Sequence, residues 1–128
     1  MNRLSPKGSE FKIQVLVFPR AIKGKEVWVA QGLEYDIVAQ APTLERLENR
    51  FMRTVLGYFV YAFETKTPVL NGIKPAPKRF WETYQSGRAL EQPFSLAPPS
   101  ELVPKRFPTN ELPRGAAPVH VAEAQQCE

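Results

Sequence analysis

Glu34 and Asp36 are the two carboxylates of this sequence whose spacing suggests chemistry. On a β-strand, side chains two residues apart point to the same face and lie about 7 Å apart. Such a pair can hold Mg²⁺ for phosphodiester cleavage. The alternative is that both acids pair with lysine or arginine on an exposed sheet face. We favour this alternative, because a two-metal site needs more acids, and Glu45 and Glu48 are expected to begin a helix. We expect no metal ion and no other cofactor.

The remaining residue types that commonly carry catalysis give weaker signals. His120 is the single histidine, and Glu123 is its one neighbouring acid in the sequence. A lone histidine in a proline-rich segment makes neither a catalytic triad nor a metal site, so we expect a surface side chain. The seven glycines are separated from one another and form no phosphate-binding loop. These features predict a protein that is not an enzyme, with a metal-dependent nuclease using Glu34 and Asp36 as the alternative.

Size and composition predict one cytoplasmic domain of 128 residues. Residues 1–10 are polar, are predicted to be a flexible lead-in, and lack the apolar segment of a signal peptide. Cys127 is the single cysteine and cannot form an internal disulfide, which is typical of an intracellular chain. No apolar run approaches the ~18 residues of a membrane-spanning helix, so we expect no membrane association.

Three strands are predicted before the first helix. In the first, Phe11–Phe18, every second residue from Phe11 is apolar, which indicates one buried face. Pro19 is predicted to end this strand because proline cannot donate to a sheet ladder. The second strand is Glu26–Gln31 and the third is Leu33–Gln40, with all of the odd-numbered residues of the third on one face. The short links between strands predict an antiparallel meander.

A long amphipathic helix is predicted from Thr43 to Glu64, with the Thr43 hydroxyl as its N-cap. Apolar residues recur at steps of three and four, as one buried stripe requires. The second half of the helix is apolar nearly all round and must be buried by something, for which a second subunit is one candidate. We therefore predict self-association through four residues of this half. They are Leu56, Phe59, Val60 and Phe63.

A second helix is predicted at Lys78–Ser86, and irregular structure is predicted after it. Phe80, Trp81 and Tyr84 are the apolar residues of this helix. They either clamp the helix to the core or form an aromatic platform for a partner or for nucleic-acid bases. Residues 89–128 contain seven of the thirteen prolines and are predicted to form a surface tail, with a short edge strand at 118–122.

The run from Val27 to Tyr61, VWVAQGLEYDIVAQAPTLERLENRFMRTVLGYFVY, resembles the HicB-like family. The matching features are an aromatic-containing strand, a second strand after a short break, and a threonine cap before a Leu/Glu-rich helix. The matching residues are Trp28, Leu33, Thr43, Leu44 and Leu47. The resemblance covers about residues 11–64, and residues 32–36 depart from the proline- and glycine-containing turn of the family.

The resemblance implies a partial ribonuclease H fold, in which one helix packs across a small antiparallel sheet. It implies no nuclease activity. Typical family members are antitoxins that mask a small RNA-cleaving toxin and associate as dimers or larger oligomers. The matching role here would be to bind and mask a small basic protein, with Glu34, Tyr35 and Asp36 as partner-binding residues.

The sequence thus predicts an α+β fold: a three-stranded meander, a long helix across it, a short second helix in residues 11–88, and a proline-rich tail. The predicted function is a non-catalytic, dimeric protein-interaction module. One alternative is a nucleic-acid-binding protein that uses a basic face and four aromatic residues. Another is a self-associating protein with no further partner. The four aromatic residues are Trp28, Phe80, Trp81 and Tyr84.

Overall fold

We describe residues 11–122 of the chain from a computed structural model; the predicted lead-in at 1–10 and residues 123–128 lie outside this part. Short 3₁₀ turns occupy 100–102 and 109–111. In chain order, the strands and α-helices are β1 (Val15–Ile22), β2 (Lys25–Gly32), β3 (Val38–Ala41), α1 (Leu44–Thr65), α2 (Lys78–Ser86), β4 (Arg88–Ala89), β5 (Phe94–Ser95), β6 (Ala116–Ala117) and β7 (Val119–Val121). In the described part, no helix combines the length and the apolar character needed to cross a membrane.

The predicted α+β class, the antiparallel meander and the long helix are confirmed in outline, but the prediction of a three-stranded sheet was too small. Five strands form the main sheet in the order β3-β2-β1-β7-β4, and β5 pairs with β6 in a second, two-stranded sheet. The β1–β2 and β2–β3 pairs are antiparallel, whereas β7 runs parallel to β1. The sheet is therefore mixed.

The hairpin between β1 and β2 turns on two residues, Lys23 and Gly24. Both have positive φ, at 52° and 79°. A two-residue turn of this kind has a twist that matches the twist of the flanking strands. The strands consequently extend to Ile22 and start again at Lys25, so the connection is shorter than the gap between the predicted strands, which end at Phe18 and start again at Glu26.

Pro19 lies inside β1, and the prediction that it ends the strand was wrong. In the ladder, successive residues of β1 direct their backbone groups to opposite sides. The N–H of Val15 and the C=O of Val17 are bonded on the β7 side, to Pro118 and Ala122. Pro19 is two residues beyond Val17, so its backbone is directed to the same side of β1. Because β7 has already ended there, no hydrogen bond is lost through the absence of an N–H on Pro19. A proline is tolerated at such an edge position.

The third strand is shorter than the predicted Leu33–Gln40, because residues 33–37 form a turn. The N–H of Gly32 bonds the C=O of Ile37 at 2.8 Å, which closes this turn. Leu33 packs with Leu16 on one side of the sheet, whereas Ile37 packs in the core beneath α1. Period-two alternation therefore breaks here, and the predicted common face for the two residues was wrong. A Cβ at Gly32 would lie 2.7 Å from the backbone oxygen of Tyr35, which cannot move aside as a side-chain end can, so this tight turn needs glycine.

The long helix α1 begins at the predicted cap and covers one face of the sheet. The Thr43 hydroxyl accepts a hydrogen bond from the N–H of Arg46 at 3.2 Å. Lys66 ends the helix in the left-handed conformation, with a φ of 57°. The buried residues of the helix follow the predicted spacing of three and four, as an amphipathic helix on a sheet requires. They are Leu47, Phe51, Met52, Val55, Leu56, Phe59 and Ala62.

Residues 89–122 are part of the folded body rather than an irregular tail. Leu96 and Phe107 are buried in the same core as α1, and Phe107 packs on Phe63 with a centroid distance of 5.1 Å. The predicted strand at 118–122 exists as β7, but it is not an edge strand. It lies between β1 and β4, which pairs with it through Arg88 and Ala89.

Replacing Leu96 with alanine tests this packing. Leu96 is 1% exposed, so the change should lower the free energy of unfolding by about 2–5 kcal/mol. Urea unfolding followed by circular dichroism measures it. The exposed Glu91→Ala is the control and should change stability by no more than about 0.5 kcal/mol. A loss below about 1 kcal/mol for Leu96→Ala would contradict the packing of this segment.

Candidate functional site

The predicted partner-binding residues lie in the turn between β2 and β3, where both carboxylates are bound internally. The Gln14 backbone N–H and side-chain amide donate to the two oxygens of Glu34, at 2.6 and 2.7 Å. The Gln31 side-chain amide donates to Asp36 at 2.6 Å. Tyr35 is half-buried, and its ring stacks on Phe11. Glu34 is thus half-buried and bonded through both oxygens, whereas Asp36 is exposed and bonded through one, so partner binding by these residues stays a prediction.

This geometry also bears on the nuclease alternative. Each of the two carboxylates accepts hydrogen bonds from a different glutamine, Glu34 from Gln14 and Asp36 from Gln31. Within residues 11–122, no three histidine, cysteine, aspartate or glutamate side chains form a group suited to a metal ion. The nuclease alternative gains no support from these contacts.

The four aromatic residues considered for nucleic-acid stacking do not share a surface. Trp28 packs against the core on the α1 side of the sheet, whereas α2 covers the opposite face. The Phe80 ring stacks on the Phe18 ring, with 6.1 Å between the ring centroids. The Arg79 guanidinium carbon lies over the Phe80 ring, 4.5 Å from its centroid. The Trp81 indole donates to the C=O of Ala76 at 3.2 Å. These contacts match the interpretation that the aromatic residues clamp α2 to the sheet.

His120 is half-buried within the sheet, not a surface side chain as predicted. Its ring stacks on Tyr84 with a centroid distance of 3.8 Å and an interplanar angle of 1°. Its Nδ1 lies 2.6 Å from the Tyr84 C=O, an acceptor, so Nδ1 carries the proton and donates. Burial, and then the negative charge of Glu34, raise the pKa of the Tyr84 phenol above its ordinary value. Sequence reasoning missed this pair because the two residues lie 36 positions apart.

The four residues predicted to mediate self-association differ in how far they are buried within the chain. Leu56 and Phe59 are buried within the chain. Val60 and Phe63 are half-buried and pack against the same core, which includes Phe107 from the C-terminal part. The chain itself therefore supplies much of the cover that the prediction assigned to a second subunit. Self-association through this half of the helix stays a prediction.

The structure draws attention to the outer edge of β3, next to the turn of Glu34 and Asp36. In the part of the chain that the structure describes, β3 is the last strand of the main sheet on this side. Gly32 and Ile37 form a hydrogen-bonded pair, and the register places Ala39 and Ala41 in the same class of pair with β2. The intervening residues, Val38 and Gln40, therefore direct their N–H and C=O groups away from the sheet.

Two contacts limit this edge. On one side, the N–H of Asp36 bonds the C=O of Lys74 at 2.7 Å, so the segment before α2 occupies the edge there. On the other side, the Arg50 guanidinium from α1 donates to the C=O of Gln40 at 3.1 Å. Between them, the N–H and C=O of Val38 and the N–H of Gln40 have no partner within residues 11–122. The Val38 side chain is 49% exposed beside them.

We name this feature the β3 edge, defined by Val38 to Gln40. It has the geometry that accepts one more strand, since the backbone groups of two alternate residues point outward in register. The opposite free stretch, on β1 beyond Val17, is less suited to strand addition. Pro19 there removes an outward donor, a common way in which natural sheets block their edges.

Comparisons with protein-family models, curated proteins and solved structures found no match for this chain. The resemblance to the HicB-like family therefore stays a prediction, and the candidate site stands on its geometry alone.

Amide hydrogen exchange tests the orientation of the β3 edge. We expect the N–H groups of Val38 and Gln40 to exchange faster than those of Ala39 and Ala41, because the latter two are bonded to β2. Two-dimensional NMR in D₂O measures all four in one sample. Equal protection along the strand would contradict an open edge in the free protein.

The Tyr84 phenol predicts a specific loss of stability in alkali. Because its pKa is raised in the folded protein, the folded form binds the proton more tightly than the unfolded chain above about pH 10. The stabilisation is fully present below the ordinary tyrosine pKa and is lost as pH rises through the raised pKa. Tyr84→Phe removes this contribution. The difference in unfolding free energy between wild type and Tyr84→Phe should therefore fall above about pH 10 and stay constant below it.

Urea titrations at a series of pH values provide this measurement. Tyr61→Phe, which keeps Tyr84, is the matched control and should retain the loss seen in wild type. A difference between wild type and Tyr84→Phe that stays constant from neutral pH into alkali would contradict the assignment.

Proposed function

We propose that this protein is a non-catalytic interaction module that binds a partner protein at the β3 edge. The observation that carries the proposal is the outward orientation of the backbone groups of Val38 and Gln40 on the last strand of the sheet. An extended partner segment would form main-chain hydrogen bonds to them and extend the sheet. The half-exposed Val38 side chain offers an apolar contact beside these bonds.

The rest of the module supports the edge. α1 lies across the sheet and bonds the end of β3 through Arg50, while the turn at Glu34 and Asp36 is held by Gln14 and Gln31. Such internal bonds keep an edge in a fixed geometry before a partner arrives, which lowers the entropy cost of binding. In this proposal Glu34 and Asp36 position the start of β3 and do not contact the partner through free carboxylates.

The HicB-like resemblance adds a more specific form of the proposal. The partner would be a small toxin-like protein, and binding would mask its active surface. Dimerisation through Val60 and Phe63 is compatible with the β3 edge, because these residues belong to the second half of α1 and not to β3.

Affinity purification of the tagged protein from its host, with nuclease treatment, tests the proposal. Gln40→Pro removes the outward N–H without removing a donor to β2, and Gln40→Ala is the matched control that keeps this N–H. We expect wild type and Gln40→Ala to retain the same protein partner and Gln40→Pro to lose it, with mass spectrometry as the measurement.

Circular dichroism and thermal unfolding of Gln40→Pro are the control that shows whether this variant folds. Val38→Asp, which keeps every backbone donor but places a charge at the apolar contact, is the second variant and should also weaken retention. A folded Gln40→Pro variant that retains the partner as well as wild type would overturn the proposal. Retention of nucleic acid alone, lost after nuclease treatment, would overturn it too.

A further inference from the structure

The flank of α1 beside the β3 edge carries three arginines. Arg46, Arg50 and Arg53 are exposed and lie at steps of four and three, so they share one side of the helix. Arg50 marks the position of this side, because its guanidinium reaches the outer C=O of Gln40. Arg53 is held along the helix by a hydrogen bond to the Asn49 side chain at 2.9 Å.

The acidic residues near these arginines offset only part of their charge. Glu45 is exposed and lines the same surface depression as Arg46 and Arg50. Glu48 is on the opposite flank of α1, where its carboxylate accepts from the N–H of Ser95 at 2.9 Å. Asp36 is the acid closest to the edge in sequence; it is held by Gln31, and Lys74 lies next to its backbone. Asp36 keeps its negative charge when a neutral amide donates to it, so the positive side of the β3 edge is the α1 side, where three arginines face the single carboxylate of Glu45.

An added strand would present its side chains alternately to two different surfaces. Residues opposite Val38 and Gln40 would point to the face of the sheet away from α1, because Ala39 points into the core beneath α1. Residues between them would point towards the α1 face, where Arg50 and Arg46 lie. The first set meets the apolar Val38 side chain, and the second set meets guanidinium groups.

We propose that the β3 edge binds an extended peptide segment in which acidic and apolar residues alternate. The acidic side chains would pair with the arginines of α1, and one apolar side chain would cover Val38. This inference rests on the proposed function and specifies the chemistry of the partner segment. It differs from the expectation of a basic partner surface docked on Glu34 and Asp36.

A second copy of the chain is a poorer occupant of this edge. Antiparallel pairing of two β3 strands about a two-fold axis would place both α1 helices on the same face of the joined sheet. Their arginine flanks would then face each other across the new interface, and like charges at such a contact oppose association. Charge complementarity therefore favours an acidic segment over self-pairing.

Single-stranded nucleic acid also matches the positive charge but does not match the rest of the site. Its binding relies on aromatic faces for the bases, and the Phe80 and Tyr84 rings are occupied by contacts within the chain. The β3 edge itself offers backbone donors and acceptors at the spacing of a β-strand, and an extended peptide backbone can form hydrogen bonds with them.

Synthetic peptides with blocked ends test the proposal. The probe is a short peptide of alternating glutamate and valine. A lysine–valine peptide reverses its charge. A glutamate–proline peptide keeps the charge but lacks the N–H of every second residue, the set that would lie opposite Val38 and Gln40. We expect the glutamate–valine peptide to bind at least about tenfold more tightly than either comparison peptide in low salt. Fluorescence anisotropy measures binding, and NMR should show new protection of the Val38 and Gln40 amides in the complex.

Two protein variants separate the backbone and charge contributions. Gln40→Pro, and Arg46→Gln combined with Arg50→Gln, should each weaken binding by about tenfold or more. The matched control is Lys105→Gln combined with Arg114→Gln, which removes the same charge from exposed positions of the C-terminal part and should leave binding unchanged.

Four outcomes would overturn the inference. The first is equal binding of the lysine–valine or glutamate–proline peptide, and the second is loss of binding in the control double variant. The third is that oligothymidine, added as a nucleic-acid probe, binds more tightly than the peptide and does not protect the Val38 and Gln40 amides. The fourth is that the free protein is a dimer and that Gln40→Pro dissociates it. If peptides fail to bind while Gln40→Pro still loses its partner in purification, the acidic chemistry is wrong and the proposed function stands. If the partner is also retained, both are wrong.

Discussion

The pairing of β7 with β1 is the constraint on which the rest of the structure depends. Two backbone hydrogen bonds mark it, from Val15 N–H to Pro118 C=O at 3.0 Å and from Ala122 N–H to Val17 C=O at 2.9 Å. Parallel pairing over so short a stretch is weak by itself, and it requires the chain to return over about a hundred residues. Apolar burial stabilises the return, because Leu96, Phe107 and Ala117 join the core beneath α1 along the way.

This pairing also decides which parts of the sheet are accessible. It closes one side of β1, brings His120 under Tyr84, and allows β4 to add beyond β7. Beyond the end of β7, Pro19 makes the exposed side of β1 unsuited to further strand pairing, because it has no N–H to donate. Among residues 11–122, nothing covers the backbone groups of Val38 and Gln40 in the same way, so the outer stretch of β1 is blocked whereas the β3 edge is open.

Local patterns in the sequence predicted the parts of the fold that local physics determines. The apolar alternation of β1, the cap at Thr43 and the steps of three and four in α1 appear in the structure as short-range rules require. β7 was recognised as a strand, but its position inside the sheet was not, since nothing local in a three-residue strand encodes a partner so far away. The proline content of residues 89–122 suggested a loose tail, yet the apolar residues between the prolines pack on the core.

The candidate site was predicted less well than the fold, for a physical reason. Placing Glu34 and Asp36 on an exposed strand face extended a period of two through Gly32, where the chain turns. Whether a strand is an edge depends on strand order, and whether Val38 directs its N–H outward depends on register, and both are tertiary properties. Two useful signals were present in the sequence. One is the row of Arg46, Arg50 and Arg53 on α1. The other is the alternation in β3, where Val38 and Gln40 are exposed and the two alanines are buried.

Intermolecular contacts measured by isotope-filtered NOE spectroscopy test the central claim most directly. The sample is the labelled protein with the unlabelled glutamate–valine peptide bound. An open β3 edge predicts cross-peaks from peptide backbone protons to Val38 and Gln40, together with contacts from glutamate side chains to Arg50. Cross-peaks that instead connect the peptide to Ala21 on the outer stretch of β1, or to Arg79 on α2, would contradict the account.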